Sequence, residues 1–203
     1  MDTKDRILEA ALELYNTQGI RTITTRHIAA HLNMSPGNLH YHFKHTDDII
    51  RALYARLAVA FDLELIQLQQ SATVTMNAIL DLSARSFQLV YRYRFIFLHF
   101  VEIVWRIPGI GKDYQALTRR RTREFTRIFQ RLIESGIFRT DLPPSIWPAL
   151  VKQLFIVADF WLSNNELTDR LNEKKAVAAY QKTFYMMFLP FLAEPEKNGR
   201  ASF

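Results

Sequence analysis

Apolar positions recur at helical spacing from the start of the chain. Ile7, Leu8, Ala10, Ala11, Leu14 and Tyr15 fall on one face of a helix that Thr3 is placed to cap and Gly19 to end. A short second helix follows, capped by Thr24 or Thr25, with Ile28, Ala29 and Leu32 turned inward. Asn33-Met34 then makes a tight turn into Ser35-Pro36-Gly37, where Ser35 is a natural N-cap and Pro36 suits the first helical position. The third helix is read over Gly37–Phe43, and Thr46-Asp47-Asp48 opens a long fourth whose first-turn carboxylates suit the helix dipole. Gly and Pro punctuation divides the rest into five more, read over Thr75–Tyr91, Tyr93–Trp105, Asp113–Ser135, Ser145–Asn164 and Glu173–Leu192. Period-two alternation is nowhere sustained, so an all-α fold is expected, with the polar end from about Glu194 fraying.

Two short helices joined by a tight turn and packed on a longer first helix make a helix-turn-helix, whose second short helix enters the DNA major groove. Ile28, Ala29, Leu32 and Leu39 supply a shared core, and Phe43 plugs its underside. The outward residues are Thr25, Arg26, Ser35, Asn38, His40, Tyr41, His42 and Lys44, a set able to donate to phosphate oxygens or read base edges. The expected organisation is a DNA-binding domain over 1–45 joined to a larger helical ligand-binding and dimerisation domain over 46–203.

Composition narrows the chemistry. With 203 residues, 49% hydrophobic, there is material for one sizeable core or two small ones. The absence of Cys removes disulfides, zinc fingers, iron–sulfur clusters and thiol catalysis, and fits a reducing, cytoplasmic setting. The longest apolar stretch, Arg94–Trp105, is interrupted by His99 and Glu102, so no membrane span or export signal is expected. The net charge of +6 invites a polyanionic partner, yet residues 1–50 net −1 while Arg85–Arg131 net +8. What marks the N-terminal segment is that no Asp or Glu occurs from Leu14 to Thr46, where Arg21, Arg26, Lys44 and five of the six His lie. An acid-free stretch tolerates phosphates.

The segments Arg6-Ile7-Leu8-Glu9-Ala10-Ala11, Gly19, Thr24-Thr25-Arg26-His27-Ile28-Ala29 and Met34-Ser35-Pro36-Gly37-Asn38-Leu39-His40-Tyr41-His42-Phe43 resemble the TetR family of one-component repressors. That resemblance implies an Ω-shaped helical homodimer with a DNA-reading N-terminal domain, and a divergent C-terminal domain that binds a ligand and releases DNA. By position it implies that Arg26 reads a guanine edge, that Gly37, Asn38, His40 and Tyr41 lie on the recognition helix, and that His42 contacts phosphate. His40 stands where an aromatic Tyr is usual, and Thr46 where many members place a phosphate-binding Lys. Lys44, two residues away, is positioned to compensate.

Downstream, the run from Phe87 through Tyr91 to Trp105 is rich in aromatics, with His99 and Glu102 set inside it. It reads both as an aromatic core and as the wall of a mostly apolar ligand pocket, with Phe125, Phe129 and Trp161 joining from neighbouring helices. Arg120, Arg123, Arg127 and Arg131 form a solvated face, and an anionic effector read by Arg121 and Arg123 is the sharper alternative. The last two helices, from Ile146 to Leu162 and from Val177 to Phe191, are apolar on more than one side, which predicts a homodimer interface. His27 and His31 have metal-ligand spacing but no carboxylate in their window, so no metal or other cofactor is expected. No GxSxG, GxxxxGKS/T or HExxH occurs, and no enzyme is expected. Two functions remain: a repressor released from a palindromic double-stranded DNA operator by a small hydrophobic effector, and a helical small-molecule or lipid-binding protein with weakened DNA binding.

Overall fold

A computed structural model describes residues 2–193; the polar end expected to fray, Glu194–Ser202, lies outside them. The helices are α1 (Thr3–Gln18), α2 (Thr25–His31), α3 (Pro36–His42), α4 (Thr46–Gln70), α5 (Met76–Arg92), α6 (Arg94–Leu98), α7 (Phe100–Arg106), α8 (Pro108–Glu134), α9 (Ile146–Leu167) and α10 (Glu173–Phe188), followed by a 3-10 turn over Leu189–Phe191. The one extended pairing among the described residues is an isolated antiparallel bridge between Phe138 and Leu192.

Three local readings differ from the sequence expectation. Asp2, not Thr3, caps α1: its extended backbone lets Oδ1 accept the Asp5 N–H at 2.7 Å, and Thr3 falls inside the first turn. The helix expected over Tyr93–Trp105 is two, broken at His99, whose backbone (φ −119°, ψ 21°) leaves the helical region. α8 begins at Pro108 rather than Asp113, so Gly109 and Gly111 are helical residues and not breakers. Their smallness serves close approach: a Cβ on Gly111 would meet Val104 Cγ1 at 2.9 Å, and one on Gly109 would meet the Arg51 guanidinium at 3.0 Å.

The chain forms two compact units, the first running to Ala60 and taking in Arg92–Lys112, the second made of Phe61–Tyr91 and the chain from Asp113 onward. The expected boundary at 45/46 falls at the start of α4, whose residues Ile49, Ile50, Leu53 and Leu57 are buried in the first unit. That unit's core is closed by Ile7, Ala11, Ile28, Ala29 and Leu39, all fully buried, with Phe43 beneath and the Lys4 ammonium 5.7 Å from its ring. Asn16 ties α1 to the α5–α6 junction, its Nδ2 donating to the Arg92 carbonyl (2.8 Å) and its Oδ1 accepting the Phe95 N–H (3.1 Å).

In the second unit the core is a ladder of rings. Phe138 stacks on Trp147, Phe129 meets both and Phe188, and the series continues through Phe184 and Tyr180 to Phe87 and Trp161. Each buried ring stabilises by about 1.5–3 kcal/mol through apolar burial alone. α9 and α10 also leave Ile156, Phe160, Leu167 and Met186 exposed, the first three along one face of α9. By length and composition alone α9 is apolar enough to cross a membrane.

Candidate nucleic-acid interface and ligand site

The geometry of the N-terminal trio follows from its caps. Thr24 Oγ1 accepts the His27 N–H at 3.4 Å, while His27 Nδ1 lies 3.3 Å from the Thr24 N–H and 3.0 Å from the Thr22 carbonyl, engaged as acceptor in one tautomer and donor in the other. Asn33 takes a left-handed backbone (φ 53°), a conformation Asn tolerates, and turns the chain between the two short helices. Ser35 Oγ then accepts the Asn38 N–H at 3.2 Å, with Pro36 in the first helical position. Leu39 is fully buried and fixes the roll of α3.

With that roll set, Arg26, Ser35, Gly37, Asn38, His40, Tyr41 and Lys44 are exposed, and Thr25 and His42 are half-buried. Tyr41 is 86% exposed, with no packing role beyond an edge contact to His42 at 5.3 Å. A Cβ on Gly37 would meet nothing within 4 Å, so its bare backbone is open to an approaching molecule.

Two neighbouring cations are engaged within the unit. Arg21 forms a two-pronged pair with Glu102 of α7 (2.9 and 3.1 Å), which holds the Glu102 carboxyl below the usual carboxylate range. Arg106 donates to Thr46 Oγ1 at 2.8 Å and pairs with Asp47, fastening the end of α7 to the start of α4. The positive character of the acid-free stretch therefore rests on Arg26 and Lys44. His31 Nε2 lies 3.6 Å from Glu13 Oε2, and no group of three or more metal-ligating side chains converges among the described residues.

The residues expected to line a ligand site fall in different places. His99, Glu102 and Trp105 lie in the first unit, where Glu102 pairs with Arg21 and Trp105 is 79% exposed. Phe87, Tyr91, Phe125, Phe129 and Trp161 lie in the second. Phe129 and Phe87 are fully buried at either end of the ring ladder, and Tyr91, Phe125 and Trp161 are half-buried. The aromatic-rich run that groups His99 and Trp105 with Phe87 in the sequence is divided between the two units at Tyr91 and Arg92.

The arginine reading also changes. Arg121 is 6% exposed, and its guanidinium is held by Asp62 of α4 and by Glu124 at 2.7 Å, so it is withdrawn from any anion. Arg120 joins Asp62 at 2.6 Å, and Arg131 reaches the Gln69, Ser71 and Ala72 carbonyls (3.4, 2.6 and 3.1 Å), closing the C-terminal end of α4. Arg123 and Arg127 remain exposed.

One buried polar group in the second unit was missed by spacing arguments. Asp159 of α9 is 7% exposed and accepts a hydrogen bond from the Tyr114 hydroxyl of α8. Burial pushes its carboxyl up to about 6, opposed by that hydrogen bond. The available signal was a lone charge in the apolar run Ile156–Leu162.

Comparison with known proteins gives a family for both parts of the chain. Residues 7–53 match the family described as bacterial regulatory proteins, tetR family, and residues 62–199 match TetR, bacterial transcriptional repressor. No curated protein matches the chain. Among solved structures, a TetR-family transcriptional regulator from Marinobacter aquaeolei VT8 is 28% identical, covers 97% of this chain and 94% of its own, and superposes with a TM-score of 0.88. SmeT in complex with triclosan (19% identity, 95% and 92% coverage, TM-score 0.68) and the fatty acid degradation regulator FadR from Bacillus halodurans (15%, 92% and 95%, 0.67) share the fold.

Proposed function

Because the chain belongs to the TetR family of bacterial transcriptional regulators, we propose that it is a cytoplasmic, non-catalytic repressor that binds a palindromic operator as a homodimer and is released by a small hydrophobic effector. The observation that carries this reading is the outward face of α2 and α3: Arg26, Gly37, Asn38, His40 and Tyr41 stand exposed on a capped, acid-free helix-turn-helix. Arg26 reads a base edge, while Thr25, Ser35, His42 and Lys44 position the helix on phosphates.

The exposed apolar face of α9, from Ile156 through Phe160 to Leu167, suits a second copy of the chain better than lipid, since the same helix carries Lys152 and Glu166 on its exposed surface. A two-fold pairing there presents two recognition helices to a palindrome. The effector binds in the second unit, beside the ring ladder. α4 and α8 contribute residues to both units, so an effector that displaces either helix has a covalent route to the DNA-binding trio.

A mobility-shift assay against the DNA upstream of the chain's own gene tests the reading, with Arg26→Ala as control. A specific shift that Arg26→Ala weakens by about ten- to a hundredfold is expected. No shift at micromolar protein refutes it and leaves a helical small-molecule or lipid-binding protein, the alternative that Thr46 and His40 favour.

A further inference from the structure

The second unit holds a charge that its fold does not use. Asp159 is the one ionisable residue between Lys152 and Glu166, and it sits inside the unit rather than on its surface. Among the described residues its hydrogen bonding is limited to the Tyr114 hydroxyl, a neutral donor. Tyr180 of α10 is buried within reach of that charge; burial first, and the Asp159 charge second, push the ionisation of its hydroxyl upward. Its ring stacks on Phe87 with centroids 4.3 Å apart, and Trp161 meets Phe87 and Tyr180 edge-on at 5.0 and 5.8 Å.

A buried carboxylate is expensive unless a cation pairs with it. The arginines of α8 do not supply one: Arg120 and Arg121 face Asp62, Arg131 faces backbone carbonyls, and Arg119, Arg123 and Arg127 are exposed. An ammonium group satisfies both features at once, since the carboxylate and the faces of Trp, Tyr and Phe each attract a cation in a desolvated setting. An anionic head group would meet the same carboxylate with repulsion.

Building on the reading of the second unit as the effector-binding part, we propose that Asp159, with Tyr114 and Tyr180 beside it at the edge of the Phe87–Trp161 pair, is the charged anchor of the effector site, and that the effector is a hydrophobic molecule carrying a protonated amine. Tyr114 orients the carboxylate, the Tyr180 hydroxyl offers an acceptor to a second ammonium N–H, and the rings receive the apolar part.

Phenylbutylamine, phenylbutanol and phenylbutyrate share one apolar body and differ in the head group. Their binding to the full-length protein is followed by Trp fluorescence and by calorimetry, without DNA. The amine is expected to bind about tenfold more tightly than the alcohol and about a hundredfold more tightly than the carboxylate. Asp159→Asn should bring amine and alcohol level, whereas Tyr180→Phe should weaken the amine about threefold while keeping its preference. In the wild-type chain the preference should also fall as pH drops through about 6, a window in which the facing Tyr180, its ionisation pushed upward by burial, stays neutral. A carboxylate that binds as well as the amine, an Asp159→Asn protein that keeps the preference, a preference flat in pH, or no binding by any of the three below about 1 mM overturns the proposal. DNA binding is scored separately. A chain that prefers the amine yet shifts no DNA supports the amine site and refutes the repressor reading; a chain that shifts DNA but ignores the amine does the reverse.

Discussion

Asp159 makes the folded protein less stable at neutral pH than it would be with a neutral side chain in the same place. Its carboxyl titrates at about 6 in the folded chain against 3.8 when free, so between those values the folded state holds a proton that the unfolded state has released. Stability therefore falls as pH rises through that window, and the loss is complete above it. At about 1.4 kcal/mol per pH unit of displacement, the penalty approaches 3 kcal/mol. Asp159→Asn removes the charge while still accepting from Tyr114; its new amide N–H groups lack an acceptor, which costs about 1 kcal/mol. The net gain of about 2 kcal/mol near pH 7.5 corresponds to a Tm increase of about 4–8 °C for a chain of this size. Near pH 4.5 about 1 kcal/mol of the wild-type penalty remains, enough only to cancel the amide cost, so the two proteins should melt together. Thermal unfolding followed by circular dichroism, at one protein concentration and several pH values, measures this. A variant less stable than wild type near pH 7.5, or a difference that does not change with pH, would refute the reasoning. Retaining a destabilising charge is what a ligand site requires and a core does not.

Other substitutions test the remaining parts of the structure. Gly111→Ala drives a methyl into Val104 at 2.9 Å and should destabilise by about 1–3 kcal/mol, whereas Gly109→Ala meets only the movable Arg51 guanidinium and should be near neutral by the same melting assay. Gly37→Ala adds a methyl in open space, so stability should hold or rise by up to about 1 kcal/mol while operator affinity in a mobility shift falls. Ser35→Ala removes the cap of α3 and should cost about 1 kcal/mol in urea unfolding. Phe160→Glu, on the exposed face of α9, should leave the fold intact by circular dichroism and shift the chain from dimer to monomer in light scattering.

The DNA-facing trio was legible in the sequence because its signals are local. Ser35 and Pro36 fix a helix start within three residues, Asn33 is a turn residue by its own conformational tolerance, and Leu39 is the one apolar position available to face the core. The helix boundaries near His99 and Pro108 were not legible. Gly109 and Gly111 read as breakers by propensity, yet their lack of a Cβ is what lets α8 pass close to Arg51 and Val104, partners distant in sequence or set by packing. His99, Glu102 and Trp105 belong to the first unit and Phe87 and Tyr91 to the second, a division set by long-range packing that a run of neighbouring residues does not display.

Charge was the least transparent signal, and the reason is geometric. A helix with arginine on several azimuths reads as a solvated or anion-binding surface, since sequence shows the cations of α8 without the carboxylates of α4 that answer them. Asp62 lies 58 and 59 residues from Arg120 and Arg121, and once it meets both, those two cations become internal cement rather than a recognition face, while Arg123 and Arg127 stay exposed. Arg21 undergoes the same conversion through Glu102, 81 residues away. The reverse happens to Asp159, which composition counts as one acid among twenty and the fold isolates from every cation named above. Net charge, summed along the chain, thus pointed toward an anionic ligand, whereas pairing the charges in space leaves an unmatched carboxylate and points toward a cationic one.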